Sequence, residues 1–107
     1  MCYTTHMEIA DRYWLAGLLE GEGCFQWSRC GEKTWPRIAL AMGDKDVVIR
    51  AALLLGGRGK VRTFHSYGRN PVHRFVVSGK RAVEVMTELL SIMGERRQSK
   101  IKELLGG

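Results

Sequence analysis

The sequence predicts an α+β domain in which helices alternate with β-hairpins. Three observations carry that prediction. Apolar residues switch repeatedly between a period near 3.6 and a period of 2, as expected when helices are interrupted by strands. The strand-like segments come in pairs, each pair separated by a short stretch rich in turn-forming residues. No linker or low-complexity segment divides the chain, and 107 residues suffice for one core but not two, so residues 1–107 are expected to form a single domain. The predicted order is helix, strand, strand, helix, strand, strand, helix, helix.

The first helix is expected from about Met7 to Gly21. Within it Ala10, Trp14, Gly17 and Gly21 recur at steps of four, three and four, which places them on one face. Small residues there would let another backbone approach closely. Gly23 reads as the residue just past the helix end, where a left-handed conformation is cheap for glycine. Cys24 to Cys30 then alternates, with Phe25 and Trp27 on an apolar side and Cys24, Gln26, Ser28 and Cys30 on the other. A turn over Gly31–Thr34 leads to a partner strand, Trp35 to Met42. Its inward residues are Ile38, Leu40 and Met42, and its outward residues Arg37, Ala39 and Ala41.

Asp44 is the expected N-cap of a second helix ending at Gly56-Gly57, with Val47, Val48, Ala51, Leu54 and Leu55 as its buried stripe. In the second hairpin Val61 and Thr63 alternate with Lys60, Arg62 and Phe64. After a Ser66–Pro71 loop, Phe75 and Val77 alternate with Arg74 and Val76. A third helix from about Lys80 carries Val83, Met86, Leu89, Leu90 and Met93 at helical spacing. Gly94 breaks it, and Glu95 to Leu105 forms a short basic helix burying Ile101, Leu104 and Leu105.

Two features of this pattern are not asked for by folding. Glu20 and Glu22 stand at the carbonyl end of the first helix, where the macrodipole disfavours negative charge by about a few tenths of a kcal/mol or more. A divalent cation would reverse that sign, because carboxylate and free carbonyl oxygens are both hard ligands for Mg²⁺ or Ca²⁺. The second feature is charge. Seventeen Lys and Arg against eleven Asp and Glu give +6, and from Val47 to Val83 there are eight basic residues and no acid. Such asymmetry suits a polyanion. Arg37, Arg62 and Arg74 fall on outward strand faces, joined by Gln26 and Ser28, while Lys60, with Arg58 and Arg69, suits phosphates. A two-stranded ribbon fits the major groove, where arginine reads guanine and glutamine reads adenine.

Other classes are disfavoured. Cys2, Cys24 and Cys30 have no metal-type spacing and leave one unpaired in any disulfide scheme, so they are expected to be reduced thiols in a cytoplasmic or organellar-matrix compartment. The apolar runs are too short to span a membrane and no signal peptide opens the chain, so a soluble protein without a membrane partner is expected. His65 and His73 lack ligand spacing.

Residues 14–25, W-L-A-G-L-L-E-G-E-G-C-F, resemble the signature of the LAGLIDADG homing endonucleases. Leu15, Ala16, Gly17 and Leu18 match L-A-G-L, Leu19 stands at the isoleucine, and Glu20, Gly21, Glu22 and Gly23 stand at D-A-D-G. The predicted element order also resembles that family's αββαββα fold across nearly the whole chain. The resemblance implies a four-stranded antiparallel, saddle-shaped sheet with helices on one face and DNA against the other. It assigns the catalytic metal to Glu22, with help from the Gly21 carbonyl, whereas Glu20 is expected to brace a neighbouring helix. A single motif implies a homodimer, packed through Ala10, Trp14, Gly17 and Gly21, on a palindromic or near-palindromic double-stranded site. The implied cofactor is Mg²⁺, with Mn²⁺ able to substitute and Ca²⁺ able to bind without supporting cleavage. The implied activity is site-specific double-strand cleavage, encoded within an intron, intein or phage genome.

Two departures stand out. The family's polar residue near the end of the second strand, often glutamine, meets Met42-Gly43-Asp44 here, with Asp44 or Lys45 as substitutes. Its basic residue after the fourth strand meets Arg96 and Arg97, with Lys100 behind. The rival readings are a non-cleaving DNA or RNA binder on the same fold, such as a repressor or an RNA-splicing maturase, and a small adaptor that dimerises through the Gly-rich helix. The adaptor reading leaves the basic tract unexplained.

Overall fold

A computed structural model describes residues 8–56 and 61–106. The elements are α1 (Ile9–Glu22), β1 (Gly23–Cys30), β2 (Lys33–Met42), α2 (Lys45–Leu55), β3 (Arg62–Phe64), β4 (Val72–Ser78), α3 (Lys80–Leu89), a 3₁₀ turn (Leu90–Ile92) and α4 (Glu95–Gly106). The four strands form one antiparallel sheet in the order β1-β2-β4-β3. This is the α+β architecture expected from the order of periodicities. No helix among the described residues is long and apolar enough to cross a membrane.

One face of the sheet and the helices share the core. Phe25, Ile38, Leu40 and Phe75 point inward and meet Leu15 and Leu19 of α1, Val48, Ala51 and Leu55 of α2, Val85, Met86 and Leu89 of α3, and Ile101 and Leu104 of α4. Removing these large apolar side chains from water is the main drive to this arrangement. Strand alternation then sends Gln26, Arg37, Arg74 and Arg62 to the opposite face.

Several local expectations are refined. The expected start at Met7 lies outside the described residues, and α1 ends at Glu22, one residue beyond Gly21. Gly23 is extended rather than left-handed (φ −81°, ψ 163°), and its N–H donates to the Leu19 carbonyl. Glycine is needed there for space: a Cβ would lie 2.9 Å from Leu19 Cα and 2.7 Å from its Cδ2. The β1–β2 turn is tighter than expected, with Gly31 at φ +62° and Cys30 already paired with Lys33. Gly31 is where the left-handed conformation occurs in that hairpin. Trp27 faces the core side yet is 37% exposed. It pairs with Pro36 toward the exposed tip of the hairpin, on an edge strand, where the helical layer no longer covers the sheet.

Asp44 precedes α2 as expected, but its side chain makes no capping bond; its carbonyl accepts from the Val48 N–H at 3.2 Å. Gly56 follows α2, while Gly57 lies outside the described residues. In α2 the buried stripe is Val48, Ala51, Ala52 and Leu55, with Leu54 packed partly against it. In α3 it is Ala82, Val85, Met86 and Leu89, with Ala82 rather than the expected Val83 buried in the first turn, while Leu90 packs partly against the core from the 3₁₀ turn and Met93 is buried as expected.

Arginines tie the helices together. Arg81 of α3 donates to the Leu55 and Leu54 carbonyls at 2.8 and 2.9 Å, satisfying the last turn of α2. Arg12 of α1 pairs with Glu88 of α3 at 3.4 Å. Arg50 of α2 pairs with Asp11 at 3.6 Å and stacks 4.0 Å over Trp14.

Candidate nucleic-acid interface and metal-binding helix end

The C-terminal end of α1 is held from two sides. The Leu19 carbonyl accepts from Gly23, and the Glu20 carbonyl accepts from Arg97 through Nη2 at 3.1 Å and Nε at 3.3 Å. The Glu20 carboxylate in turn accepts from the Gly94 N–H at 2.8 Å. Glu20 thus braces the start of α4, the role expected of it. Beyond this braced turn, Gly21 and Glu22 are exposed. The helix therefore ends on two exposed residues whose carboxylate and carbonyl are both hard oxygen donors.

No cluster of three or more His, Cys, Asp or Glu among the described residues could enclose a metal ion. The described residues alone do not build a closed cage. The donor set fits Mg²⁺ in another way, since that ion keeps several waters and is commonly held by one or two carboxylates plus substrate phosphates. Of the basic residues expected near this end, Arg96 is exposed in the first turn of α4, whereas Arg97 is engaged with Glu20 and lies 5.9 Å over the Phe25 ring. Lys100 faces Glu103 at 3.6 Å. Met42 packs partly against the core, while Asp44 and Lys45 are exposed.

The outer face of the sheet gathers the expected arginines. A concavity of about 450 Å³ is lined by Arg37, Arg62, Phe64, Arg74 and Val76. Arg62 and Arg74 are directly opposed across β3 and β4, where like charges oppose folding. Among the described residues none of the three arginines forms an ion pair. Gln26 lies opposite Arg37 in the β1–β2 register, and with its amide turned to satisfy the contacts its oxygen accepts from the guanidinium. Ser28 is half-buried on the same face, two residues along. Lys60 and Arg58 lie outside the described residues. Phe64 and Val76 were not singled out from the sequence, although their outward alternation with Arg62 and Arg74 was visible there.

On α1, Ala10, Gly17 and Gly21 are exposed and Trp14 is half-buried beneath Arg50. A Cβ on Gly17 or Gly21 would meet nothing within 4 Å. Packing among the described residues does not explain either glycine, each of which lowers helix stability by about 1 kcal/mol relative to alanine. Tyr13 (59% exposed) and Ile9 (69%) border the same open face, and neither was selected from the sequence. Tyr13 could have been, since it lies four residues before Gly17.

A helix ending on exposed oxygen donors and a concave arginine-lined sheet define a recognisable class of architecture. The chain has the fold of the LAGLIDADG homing endonucleases. It aligns with the homing endonuclease I-CvuI, solved with its target in the presence of Ca, at a TM-score of 0.68 and 18% identity, covering 92% of this chain and 68% of that one. For the group I intron-encoded homing endonuclease I-CeuI, complexed with DNA, the TM-score is 0.67 at 15% identity, covering 97% of this chain and 56% of that one. For the archaeal intron-encoded homing endonuclease I-Vdi141I, also complexed with DNA, it is 0.63 at 18% identity, covering 94% and 69%. No protein-family model matches the sequence, and no curated protein matches it.

Proposed function

We propose that this chain is a single-motif LAGLIDADG-type, site-specific DNA endonuclease that acts as a homodimer with a divalent metal ion. The observation that carries the reading is the concavity holding Arg37, Arg62 and Arg74 without ion-pair partners among the described residues, on the face opposite the core. A sheet that sets two arginines opposite each other and supplies no acid is built to be neutralised from outside. DNA phosphates and guanine edges answer that requirement. The fold neighbours bound to DNA support the same partner.

In this reading Glu22 and the Gly21 carbonyl hold Mg²⁺. When bound, the ion supplies a water nucleophile of lowered pKa and charge neutralisation at the scissile phosphate. The chain's own contribution is placement. The Glu20 brace fixes the last turn of α1, and the outer sheet face holds the duplex through Gln26, Ser28, Arg37, Arg62 and Arg74, with Lys60 on phosphates. Arg96, exposed at the start of α4, is the residue assigned to meet a DNA phosphate. Dimerisation through Ala10, Trp14, Gly17 and Gly21 brings two Glu22 carboxylates together, one for each DNA strand, on a palindromic or near-palindromic site.

One observation favours the non-cleaving alternative. Met42 packs partly against the core at the end of β2, so the position where the resemblance leads one to look for glutamine offers no polar group. The discriminating experiment is incubation with plasmid libraries carrying candidate sites, with and without Mg²⁺ or Mn²⁺. Metal-dependent double-strand breaks are expected, and sequence-specific retention without breaks would favour the binder.

A further inference from the structure

Arg97 meets the description of the family-type basic residue by position alone, but its geometry points elsewhere. Its side chain is 18% exposed, and both Nε and Nη2 are spent on the Glu20 carbonyl. That carbonyl is an orphan of the helix end, because the chain leaves α1 for β1 at Gly23 and no further turn supplies an N–H. A cation at this end also complements the negative pole of the helix dipole. The Glu20 carboxylate closes the loop on the other side, accepting from Gly94 at 2.8 Å and lying 4.0 Å from Arg97 Nε. Gly94 is closely fitted to it, since a Cβ there would come within 3.2 Å of Glu20 Oε2. The Phe25 ring beneath Arg97 belongs to β1, three residues beyond Glu22.

We propose that Arg97 is a positioning residue, which, with Glu20 and the Gly94 amide, clasps the last turn of α1 to the start of α4 and so fixes where Gly21 and Glu22 present their oxygens. The inference rests on the metal-dependent nuclease reading and divides the two arginines of α4: Arg97 acts through Glu22, and Arg96 is left to face the nucleic acid. The clasp fixes Glu22 from one side while β1, starting at Gly23, fixes it from the other. Without it, Glu22 keeps its charge and loses its aim.

The test separates aim from direct chemistry by metal titration. Mn²⁺ binding to the protein–DNA complex is followed by electron paramagnetic resonance, alongside cleavage rate against Mn²⁺ concentration, for the parent, Arg97→Ala, Arg97→Lys and Glu20→Gln. Removing a group that orients a ligand typically weakens metal binding by about 10–100-fold. Arg97→Ala is expected to shift the half-saturating Mn²⁺ concentration upward by about that factor, with the rate recovering at saturating metal. Arg97→Lys and Glu20→Gln should shift it less and in the same direction. Glu20→Gln also serves if Arg97→Ala fails to fold. An unchanged metal midpoint with a rate depressed at every metal concentration would make Arg97 a direct participant and overturn the proposal. No change in either readout would overturn it too. A parent protein that binds no Mn²⁺ and cuts no DNA would remove the nuclease reading first, and the clasp's role with it; a parent that cuts while its variants keep the same midpoint removes the clasp alone.

Discussion

Arginines on the two sides of the sheet behave differently. On the helical side Arg81 caps α2 through the Leu54 and Leu55 carbonyls, Arg97 caps α1 through Glu20, and Arg12 pairs with Glu88. On the outer side Arg37, Arg62 and Arg74 surround a concavity, and no carboxylate of the described residues forms an ion pair with them. The same side chain thus does two jobs. Where the fold supplies carbonyls or acids, arginine closes helix ends; where the described residues supply none, arginine is left open, as the proposed DNA-binding role requires. The difference teaches that the partner, rather than the charge, marks the functional residues.

That contrast can be broken most strongly at the outer face. Replacing Arg62 and Arg74 together with alanine should weaken DNA binding by roughly 2–6 kcal/mol, taking about 1–3 for each base-reading contact. Fluorescence anisotropy with a selected site checks it, and a loss below 1 kcal/mol would move the interface elsewhere. The same double variant should unfold no more easily than the parent in urea, since removing an opposed like-charge pair relieves a repulsion.

At α1 the expected losses are in stability and assembly. Gly23→Ala should destabilise the fold by about 1–3 kcal/mol, the usual range for overpacking, because its Cβ would press on Leu19. Chemical denaturation measures this. Gly17→Leu should leave the monomer fold intact, since an added Cβ meets none of the described residues within 4 Å, and should abolish dimerisation seen by sedimentation. A variant that still sediments as a dimer would place the interface on another face.

The smallest effect sharpens the helical half of the contrast. Arg81→Ala should lower stability by about 1–2 kcal/mol through the two uncapped carbonyls. DNA affinity should stay within error of the parent, because Arg81 contacts Leu54 and Leu55 on the core side.

Much of this architecture was legible in the sequence because it depends on local periodicity. Phe25, Ile38, Leu40 and Phe75 announced the buried sheet face, and the outward positions of Arg37, Arg62 and Arg74 followed from alternation with them. The end of α1 was legible because small and acidic residues sit where a helix gains nothing from them. Long-range facts were not. Glu20 and Arg97 are 77 residues apart, so the two-donor contact that ties Arg97 to α1 could not be read from spacing. Gly23 looked like a left-handed cap, yet the reason for glycine there is the distance to Leu19, a three-dimensional quantity. Trp27 alternates correctly, but alternation does not say where the helices stop covering an edge strand.

The central claim is that the outer arginine face neutralises DNA, and salt tests it most directly. If each subunit of a dimer neutralises about three phosphates, about six in all, affinity should fall by roughly three decades between about 50 and 200 mM salt. The Arg62→Ala, Arg74→Ala variant should show a visibly shallower slope of log affinity against log salt. An affinity indifferent to salt, or a slope unchanged by removing both arginines, would contradict the account.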